Sequence, residues 1–238
     1  MIRAPIAGLA SGVTTIAPET ARYLVKVRRL RAGDAFVAFD PVTRMEADAV
    51  LADERTARIA ELRAAAVVAE RDLVLVYALA KGDKVDGVVR DATELGATRV
   101  LVARSERSIV KADAERAEAK RARWERVAEQ AARQCGRADP PAIEGVLDWP
   151  AALTRAATCD ARFCLDPHAP DALGPLLAPS VASGASIAFA IGPEGGLTRE
   201  EIDVAGAAGF VAVSLGRFVL RTETVAAALL GAVRVLTH

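Results

Sequence analysis

Beyond residue 70, continuous apolar runs alternate with segments whose apolar residues recur at helical spacing. Residues 73–79 form an unbroken apolar run, which is typical of a strand buried on both faces of a parallel sheet. In residues 84–95 the apolar positions fall three or four apart, as on one face of a helix, and Gly96 follows. The alternation continues with predicted strands at 99–103, 161–165, 186–191 and 210–214 and predicted helices at 114–135, 149–157, 199–208 and 222–236. Residues 71–238 are therefore predicted to form an α/β domain with a largely parallel sheet.

The first 70 residues follow a different pattern, in which short candidate strands are separated by turns. Residues 34–41 are predicted to form a strand that Gly33 introduces and Asp40-Pro41 ends. Residues 44–51 alternate weakly, and residues 59–68 are a third candidate strand, although their alanines leave a helix open. A small β-rich domain over residues 1–70 is expected.

A helix is predicted at residues 18–30, where Leu24, Val27 and Leu30 make an apolar stripe. Its basic residues fall on another face, which is either simply solvated or a surface that contacts phosphate groups. The chain has 31 basic and 31 acidic residues and hence no net charge, so it is not coated with positive charge. Any contact with nucleic acid would depend on local basic patches.

The composition narrows the remaining classes of protein. The apolar fraction of 52% suffices for a core, and the aromatic fraction of only 4% suits an α/β protein better than a β-sandwich. Three cysteines without a Cys-x-x-Cys pair, together with two histidines, predict neither disulfides nor a metal site. No signal peptide and no apolar stretch able to span a bilayer are recognised, so a cytoplasmic protein without membrane contact is expected.

A glycine-rich loop joins the predicted strand at 186–191 to the predicted helix at 199–208. Its sequence is Ile191-Gly192-Pro193-Glu194-Gly195-Gly196-Leu197, followed by Thr198-Arg199-Glu200-Glu201, which predicts a capping box. The loop has neither the Walker A pattern nor the dinucleotide-binding pattern. It is either a tight turn before a helix or a ligand loop at the carboxyl end of a strand, where glycines let the backbone approach a ligand.

A second loop of similar character precedes the last predicted helix. Leu215-Gly216 ends a short strand, and Leu220-Arg221-Thr222-Glu223-Thr224 leads into an apolar helix. Thr222 is predicted to be the N-cap of that helix, and Glu223 suits the positive end of the helix dipole. Capping with a surface arginine would account for part of this segment. Two such loops near the C-terminus nevertheless favour a ligand site.

Taken in order, these motifs resemble the RsmE family of 16S rRNA uridine-N3 methyltransferases in the SPOUT superfamily. The resemblance also rests on upstream segments, namely Leu24-Val25-Lys26-Val27-Arg28-Arg29-Leu30-Arg31-Ala32-Gly33-Asp34, Ala80-Lys81-Gly82-Asp83-Lys84, Ala92-Thr93-Glu94-Leu95-Gly96, Ser105-Glu106-Arg107-Ser108 and Glu129-Gln130-Ala131-Ala132-Arg133-Gln134-Cys135-Gly136-Arg137. Each motif alone is modest in specificity, but the ordered set covers nearly the whole chain.

The resemblance implies a fold, a cofactor and partners. It implies a PUA-like RNA-binding β-barrel over residues 1–70 and a SPOUT domain with a deep C-terminal trefoil knot over residues 71–238. It also implies a homodimer that acts on 16S rRNA of the small ribosomal subunit and takes its methyl group from S-adenosylmethionine without a metal. The implied cofactor-binding residues are Leu165, Ile191, Gly192, Gly195, Gly196, Leu215, Gly216 and Leu220, and the implied RNA contacts are Arg3, Arg22, Lys26, Arg28, Arg29 and Arg31.

The chemistry of uracil suggests roles for three residues near the loops. The N3 atom of uracil is a poor nucleophile while it is protonated, so an enzyme must remove that proton and hold the resulting anion. Arg221 is expected to orient the base or to stabilise negative charge on its carbonyl groups. Glu194 or Glu223 is expected to accept the proton or to hold Arg221, although structural roles for both carboxylates remain open.

The beginning of the chain departs from the family pattern. Ala4 follows Arg3 where an Arg-Phe pair is usual, and Arg22-Tyr23 stands where a His-His pair is usual. These differences concern the RNA contacts of the N-terminal domain. Two alternatives stay open, a related SPOUT enzyme that methylates ribose or another base, and a non-catalytic RNA-binding assembly factor that retains the fold.

Overall fold

The computed structural model describes residues 1–79, 84–108 and 114–238. The chain forms two compact units. The first consists of Met1–Val68 and Gln130–Pro140, and the second of Ala69–Glu129 and Pro141–His238. Of the motif at residues 80–84, only Lys84 lies within the described residues.

The N-terminal part and the C-terminal part differ in their elements. Up to residue 68 the chain forms β1 (Arg3–Pro5), β2 (Gly12–Thr15), α1 (Pro18–Arg22), a π-helix (Tyr23–Val27), β3 (Ala35–Asp40), β4 (Met45–Leu51), β5 (Thr56–Ile59) and β6 (Arg63–Ala64). Thereafter it forms β7 (Leu73–Ala78), α2 (Lys84–Glu94), β8 (Arg99–Arg104), α3 (Ala114–Cys135), β9 (Ala142–Asp148), α4 (Trp149–Ala156), β10 (Ala161–Leu165), α5 (Leu173–Ala182), β11 (Ile187–Ile191), α6 (Arg199–Ala207), β12 (Val211–Val213) and α7 (Thr222–Thr237).

A mixed sheet organises the N-terminal unit. Its strand order is β1-β3-β4-β5-β2, and β6 pairs with β4. The pair β1–β3 is parallel, whereas the other pairs are antiparallel. Ala47, Ala49 and Leu51 of β4 are buried against Phe36 and Leu24 in one core, as expected for a strand with one covered face. The prediction of a β-rich N-terminal part is confirmed.

Two predictions for this unit were wrong in part. The helix expected at 18–30 is α-helical only over Pro18–Arg22, continues as a π-helix to Val27, and gives way to a positive φ of 59° at Arg29. The strand expected at 59–68 is also wrong, because β5 ends at Ile59 and only Arg63–Ala64 pairs again, with β4. The alanines that follow offer little apolar surface to hold an edge strand in place.

A fully parallel sheet organises the second unit. Its order is β12-β10-β11-β7-β8-β9, and every pair in it is parallel. Leu75 and Tyr77 of β7 face a core shared with α2, α3, α5 and α7, while Val74 and Val76 face a second core shared with α4 and α6. Helices therefore cover both faces, which explains the continuous apolar run of β7. The predicted α/β fold is confirmed.

Two elements of this unit were missed from the sequence. The edge strand β9 buries Ile143 but leaves most of its side chains half-exposed, so its sequence lacks a strong apolar pattern. Helix α5 carries Pro179 in its interior and has little helical periodicity. Both elements depend on packing against the sheet more than on local preference.

None of the helices in the described ranges is long and apolar enough to cross a membrane.

Candidate functional site

A cavity of about 400 Å³ opens at the carboxyl edge of the parallel sheet. Because all strands of this sheet run in one direction, the loops that follow them meet at this edge, where open α/β sheets bind ligands. The volume lies within the range of about 300 to 1,000 Å³ that is usual for small-molecule sites. The lining residues are Arg107, Leu165, Asp166, Pro167, His168, Ile191, Gly192, Pro193, Glu194, Gly195, Gly196, Leu197, Ile202, Val219, Leu220, Arg221, Thr222 and Val225.

The glycine-rich loop leaves β11 and forms one wall of this cavity. A Cβ atom at Gly192 would lie 2.7 Å from Cγ of Leu197, and one at Gly195 would lie 3.3 Å from Cβ of Arg107. Gly196 has a positive φ of 72°, a conformation that side chains with a Cβ rarely adopt. The protein's own packing at Gly192 and its backbone conformation at Gly196 therefore favour glycine, and at Gly195 a larger residue would have to displace Arg107 slightly. The sequence had suggested only that these glycines allow a ligand to approach.

The helix after this loop begins with the predicted capping box. The hydroxyl of Thr198 accepts a hydrogen bond from the amide of Glu201 at 3.3 Å, and the Glu201 carboxylate accepts one from the amide of Thr198 at 2.9 Å. The same carboxylate accepts a hydrogen bond from the amide of Glu106 at 2.8 Å. The start of α6 is therefore fixed to the loop that follows β8.

Arg107 was not among the predicted site residues, although it lies in one of the motifs that carried the resemblance. Its Nη1 atom donates a hydrogen bond to the carbonyl oxygen of Gly195 at 2.9 Å, and its stem packs against the same glycine. The guanidinium therefore braces the glycine-rich loop from the cavity side. A contact between loops so far apart in the chain leaves no local signature.

The second predicted loop contributes to the cavity and to a smaller space beside it. Leu220 lines the 400 Å³ cavity, as do Leu165 and Ile191 at the ends of β10 and β11. Leu215 and Gly216 instead line an adjoining space of about 50 Å³, which Leu165 and Leu220 also border. The structure thus brings the predicted cofactor-binding residues to one edge of the sheet, with Leu215 and Gly216 at its margin.

Arg221 lies at the cavity wall, immediately before α7. It is exposed, has an extended backbone, and is itself the N-cap residue of the helix. The prediction that Thr222 is the N-cap was therefore wrong, because Thr222 already belongs to the first turn and its hydroxyl is engaged elsewhere. Arg221 forms no ion pair with any carboxylate in the described part of the chain. Its guanidinium is thus available to a ligand.

Lys84, at the start of α2, pairs with both candidate carboxylates. Its Nζ atom lies 2.8 Å from Oε1 of Glu194 and 3.5 Å from Oε2 of Glu223. The expectation that one of these carboxylates holds Arg221 was therefore wrong, since both are engaged by the lysine. One lysine against two carboxylates leaves one negative charge uncompensated within this cluster.

The electrostatics of the cluster keep all three groups charged. Burial raises the pKa of Glu194, but the hydrogen bond and charge of Lys84 and the hydrogen bond from its own backbone amide together outweigh burial, and the net pKa is lowered. The pKa of Glu223 is lowered by the hydrogen bond from its own backbone amide and by Lys84. The hydrogen bond to Glu194 raises the pKa of Lys84. At neutral pH two carboxylates and an ammonium group therefore lie beside the cavity.

A buried tyrosine extends this cluster into the core. The hydroxyl of Tyr77 lies 2.8 Å from Oγ1 of Thr222, which in turn donates to Oε2 of Glu223 at 3.2 Å. Since the threonine proton points to the carboxylate, the tyrosine must donate to the threonine. Burial raises the pKa of Tyr77 to about 12, so its hydroxyl stays protonated. Tyr77 fixes the first turn of α7 and thereby Glu223.

The predicted RNA contacts belong to the N-terminal unit and fall into two groups. One group is exposed around the π-helix and the turn after it, and consists of Arg22, Lys26, Arg28, Arg29 and Arg31. Arg3 differs, since its side chain is only 14% exposed and pairs with buried Glu46 at 2.8 Å. Its guanidinium also lies 5.4 Å from the centre of the Phe39 ring. Arg3 therefore has a structural role that its sequence context did not suggest.

Among the described residues, no group of three or more histidine, cysteine, aspartate or glutamate side chains is arranged to hold a metal ion. The cysteines in strand β10 and before it are buried, and burial raises the pKa of Cys159 to about 11 and that of Cys164 to about 12. Neither thiol is therefore available as a nucleophile at neutral pH.

Comparison with known proteins identifies the class to which this fold and cavity belong. A family model described as an RNA methyltransferase domain matches residues 68–234. A protein of Mycobacterium bovis named ribosomal RNA small subunit methyltransferase E is 36% identical over 221 residues, which cover 90% of this chain and 83% of the relative. A Bacillus subtilis protein of the same name is 28% identical and covers 88% of this chain and 85% of its own length.

A solved structure shares the fold of this chain. The ribosomal RNA small subunit methyltransferase E of Neisseria gonorrhoeae, bound to S-adenosylmethionine, superposes with a TM-score of 0.86 at 28% identity and covers 99% of this chain and 98% of its own. The chain therefore belongs to the RNA methyltransferase family, in the group named ribosomal RNA small subunit methyltransferase E. The resemblance drawn from the ordered motifs is confirmed.

Proposed function

We propose that this chain transfers a methyl group from S-adenosylmethionine to N3 of a specific uridine in the 16S rRNA of the small ribosomal subunit. The observation that carries the proposal is the cavity at the carboxyl edge of the parallel sheet, whose wall contains both the glycine-rich loop and Arg221. Membership of the family adds the reaction class, and the Neisseria gonorrhoeae relative was solved with S-adenosylmethionine bound.

The residues around the cavity fit a ligand of this kind. Leu165, Ile191 and Leu220 offer apolar surface for a flat adenine ring, and the loop at 192–196 offers backbone groups for polar contacts. The Lys84 cluster has one carboxylate charge in excess, and Arg107 and Arg221 line the same cavity, so charges of both signs are present for a ligand with a sulfonium cation and a carboxylate. We propose that these residues, with Gly195, Gly196, Leu215 and Gly216, hold S-adenosylmethionine. When bound, it supplies an activated methyl group that carries its own leaving group.

The side chains at the cavity divide the remaining tasks. Glu194 lines the cavity and is ionised, so we assign it the role of proton acceptor for N3–H of uracil. Glu223 does not line the cavity and accepts hydrogen bonds from Thr222 and Lys84, which suits a residue that positions the lysine. Arg221 has its guanidinium free to stabilise negative charge on the carbonyl oxygens of the uracil anion. The target base has to be unstacked to reach these groups.

The finer architecture belongs to the same proposal. We infer a PUA-like RNA-binding barrel at the N-terminus, a SPOUT domain from residue 71 and a trefoil knot in its C-terminal part, all on the strength of family membership. A homodimer is supported by the apolar side chains of Phe218 and Val219, which are 84% and 79% exposed beside the cavity. We place the activity in the cytoplasm, together with its rRNA substrate.

The proposal is tested by mass mapping of small-subunit rRNA. RNA from cells that lack the protein is incubated with purified protein and S-adenosylmethionine that carries a labelled methyl group. One new methyl group on N3 of one uridine is expected. A methyl group on ribose or on another base would favour a different enzyme of the superfamily. The absence of transfer to free rRNA and to assembled small subunits would favour a non-catalytic assembly factor.

A further inference from the structure

A second cavity, of about 610 Å³, lies within the N-terminal unit. It is bordered by Arg3 at the start of the chain, by Tyr23 and Arg28 of the π-helix and its cap, and by the last turns of α3. The residues of α3 that face it are Gln130, Arg133 and Gln134. All of them belong to the N-terminal unit, because this unit includes Gln130–Pro140.

The charged side chains that border this cavity are all basic. Arg3 pairs with Glu46, which Arg63 also contacts, whereas Arg28 and Arg133 pair with no carboxylate within the described ranges. None of the described residues that border the cavity is acidic. In a chain without net charge, this is a local positive patch of the kind that binds phosphate groups.

Arg133 is held in place before any ligand arrives. Its guanidinium lies 4.7 Å from the centre of the half-buried Tyr23 ring, a cation–π contact. The side chain therefore has less freedom to lose when it meets an anion. Aromatic rings and arginine planes are also the surfaces on which proteins stack unpaired RNA bases.

Two amides complete the set of groups. Gln130 and Gln134 are four residues apart on α3 and exposed, so they project from one face of the helix. Each amide can both donate and accept hydrogen bonds, as the edge of a base requires. Arginines for phosphate, an aromatic ring for stacking and amides for a base edge are found together in this one concave site.

We propose that this cavity binds an unpaired nucleotide of the RNA substrate, with its phosphate at Arg28 and Arg133 and its base edge at Gln130 and Gln134. The inference rests on the proposed function, since it names how the same substrate is held. A concave site suits a nucleotide turned out of a single strand or loop, whereas the phosphates of a duplex lie along a convex surface. An acidic peptide would use the arginines but not the amides.

The test compares variants of the full-length protein for binding to a single-stranded RNA oligonucleotide, to a duplex of the same sequence and to an acidic peptide. Arg28→Ala and Arg133→Ala are expected to weaken single-strand binding roughly tenfold each and to flatten the salt dependence of log K by about 0.7 per lost phosphate contact. Gln134→Ala is expected to weaken binding without changing the salt dependence. Arg58→Ala removes an exposed charge from the same unit outside the cavity and is the control.

The second set of measurements consists of enzyme kinetics and thermal unfolding of the same variants. The arginine variants should raise KM for rRNA while kcat and the affinity for S-adenosylmethionine stay unchanged, and their melting temperatures check that they fold. Arg133→Lys should retain the salt dependence but lose part of the affinity. Equal loss in Arg58→Ala, preference for the duplex, preference for an acidic peptide, or unchanged binding in both arginine variants would overturn the inference. If wild-type protein methylates no RNA, the proposed function fails, and the binding measurements still decide whether the cavity takes up RNA.

Discussion

The ammonium group of Lys84 lies 2.8 Å from Oε1 of Glu194 and so ties the start of helix α2 to the glycine-rich loop. The lysine is also 3.5 Å from Glu223, at the start of α7. Three separate segments of the second unit are thereby joined by one side chain beside the cavity. Of the two roles that the sequence suggested for these carboxylates, proton acceptor or partner of Arg221, the second is not seen, because both carboxylates face Lys84.

Lys84→Met should lower the rate of methyl transfer roughly tenfold or more, because Glu194 is no longer held and two carboxylates repel each other.

The effect of Lys84→Met on the free energy of unfolding should depend on pH. The carboxyl pKa values are lowered from 4.5 and the lysine pKa is raised from 10.5. The stabilisation is therefore complete between these values, is lost as the pH falls below 4.5, and is lost again as it rises above 10.5. Denaturant unfolding of both proteins from pH 3 to 8 checks the acidic limb, and a difference that grows towards low pH would contradict it.

Glu194→Gln and Glu223→Gln should separate proton transfer from positioning. Loss of a general base costs about a hundredfold or more in kcat, so Glu194→Gln should show a loss of this size. Glu223→Gln should show a smaller loss, because glutamine can still accept the hydrogen bond from Thr222. Single-turnover methyl transfer across a range of pH measures both. A larger defect in Glu223→Gln would reverse the two assignments.

Gly196→Val should abolish binding of S-adenosylmethionine. A φ of 72° is strongly disfavoured for a β-branched residue, so the loop has to rearrange. Gly206→Ala in α6 is the matched control, since a Cβ there meets no atom within 4 Å. It should bind normally and gain about 0.5–1 kcal/mol in stability. Calorimetric titration with S-adenosylmethionine measures the affinity of both variants. Normal binding by Gly196→Val would show that the loop is not part of the cofactor site.

Arg221→Ala should bind S-adenosylmethionine normally and lose methyl transfer by about a hundredfold or more, as expected for a residue that stabilises developing negative charge. Arg234→Ala removes an exposed arginine from the far end of the same helix and should leave both properties intact. Unchanged turnover in Arg221→Ala would mean that the guanidinium does not contact the base.

Tyr77→Phe and Thr222→Val should differ in stability although they break the same hydrogen bond. Tyr77→Phe removes the buried hydroxyl and leaves Thr222 bonded to Glu223, which should cost about 1 kcal/mol. Thr222→Val leaves the tyrosine hydroxyl buried without its partner, and such a group costs about 1–3 kcal/mol. Urea unfolding measures which of the two variants loses more free energy of unfolding. The reverse order would show that the tyrosine finds another partner.

The parts of the fold that the sequence predicted have a strong local signal. Strand β7 is buried on both faces, and its sequence is a continuous apolar run. The capping box of α6 is formed within four consecutive residues. Strand β9 and helix α5 could not be predicted, since one is a half-exposed edge and the other contains a proline. The π-helix after α1 likewise could not be predicted, because no residue pattern distinguishes it from an α-helix.

The candidate site was predictable where backbone geometry dominates and unpredictable where distant side chains meet. Gly192 and Gly196 are constrained within their own loop, by Leu197 and by a positive φ, and both were recognised from the sequence together with Gly195. Lys84 and Arg107 reach the loop from segments after β7 and β8, and their partners depend on the topology of the sheet. Arg221 was recognised as a site residue, but its freedom from ion pairs became visible only once the carboxylates were seen to face Lys84.

The assignment of Gln130–Pro140 to the N-terminal unit has a consequence for how this unit can be inherited. In these residues Ala138 donates a backbone hydrogen bond to Val67, and Arg137 pairs with Asp139, with both side chains buried. A gene segment that ended near residue 70 would encode a module without this closing piece. Recombination therefore cannot exchange the unit as one contiguous cassette, and its two segments must be inherited together with the sequence of the second unit that lies between them.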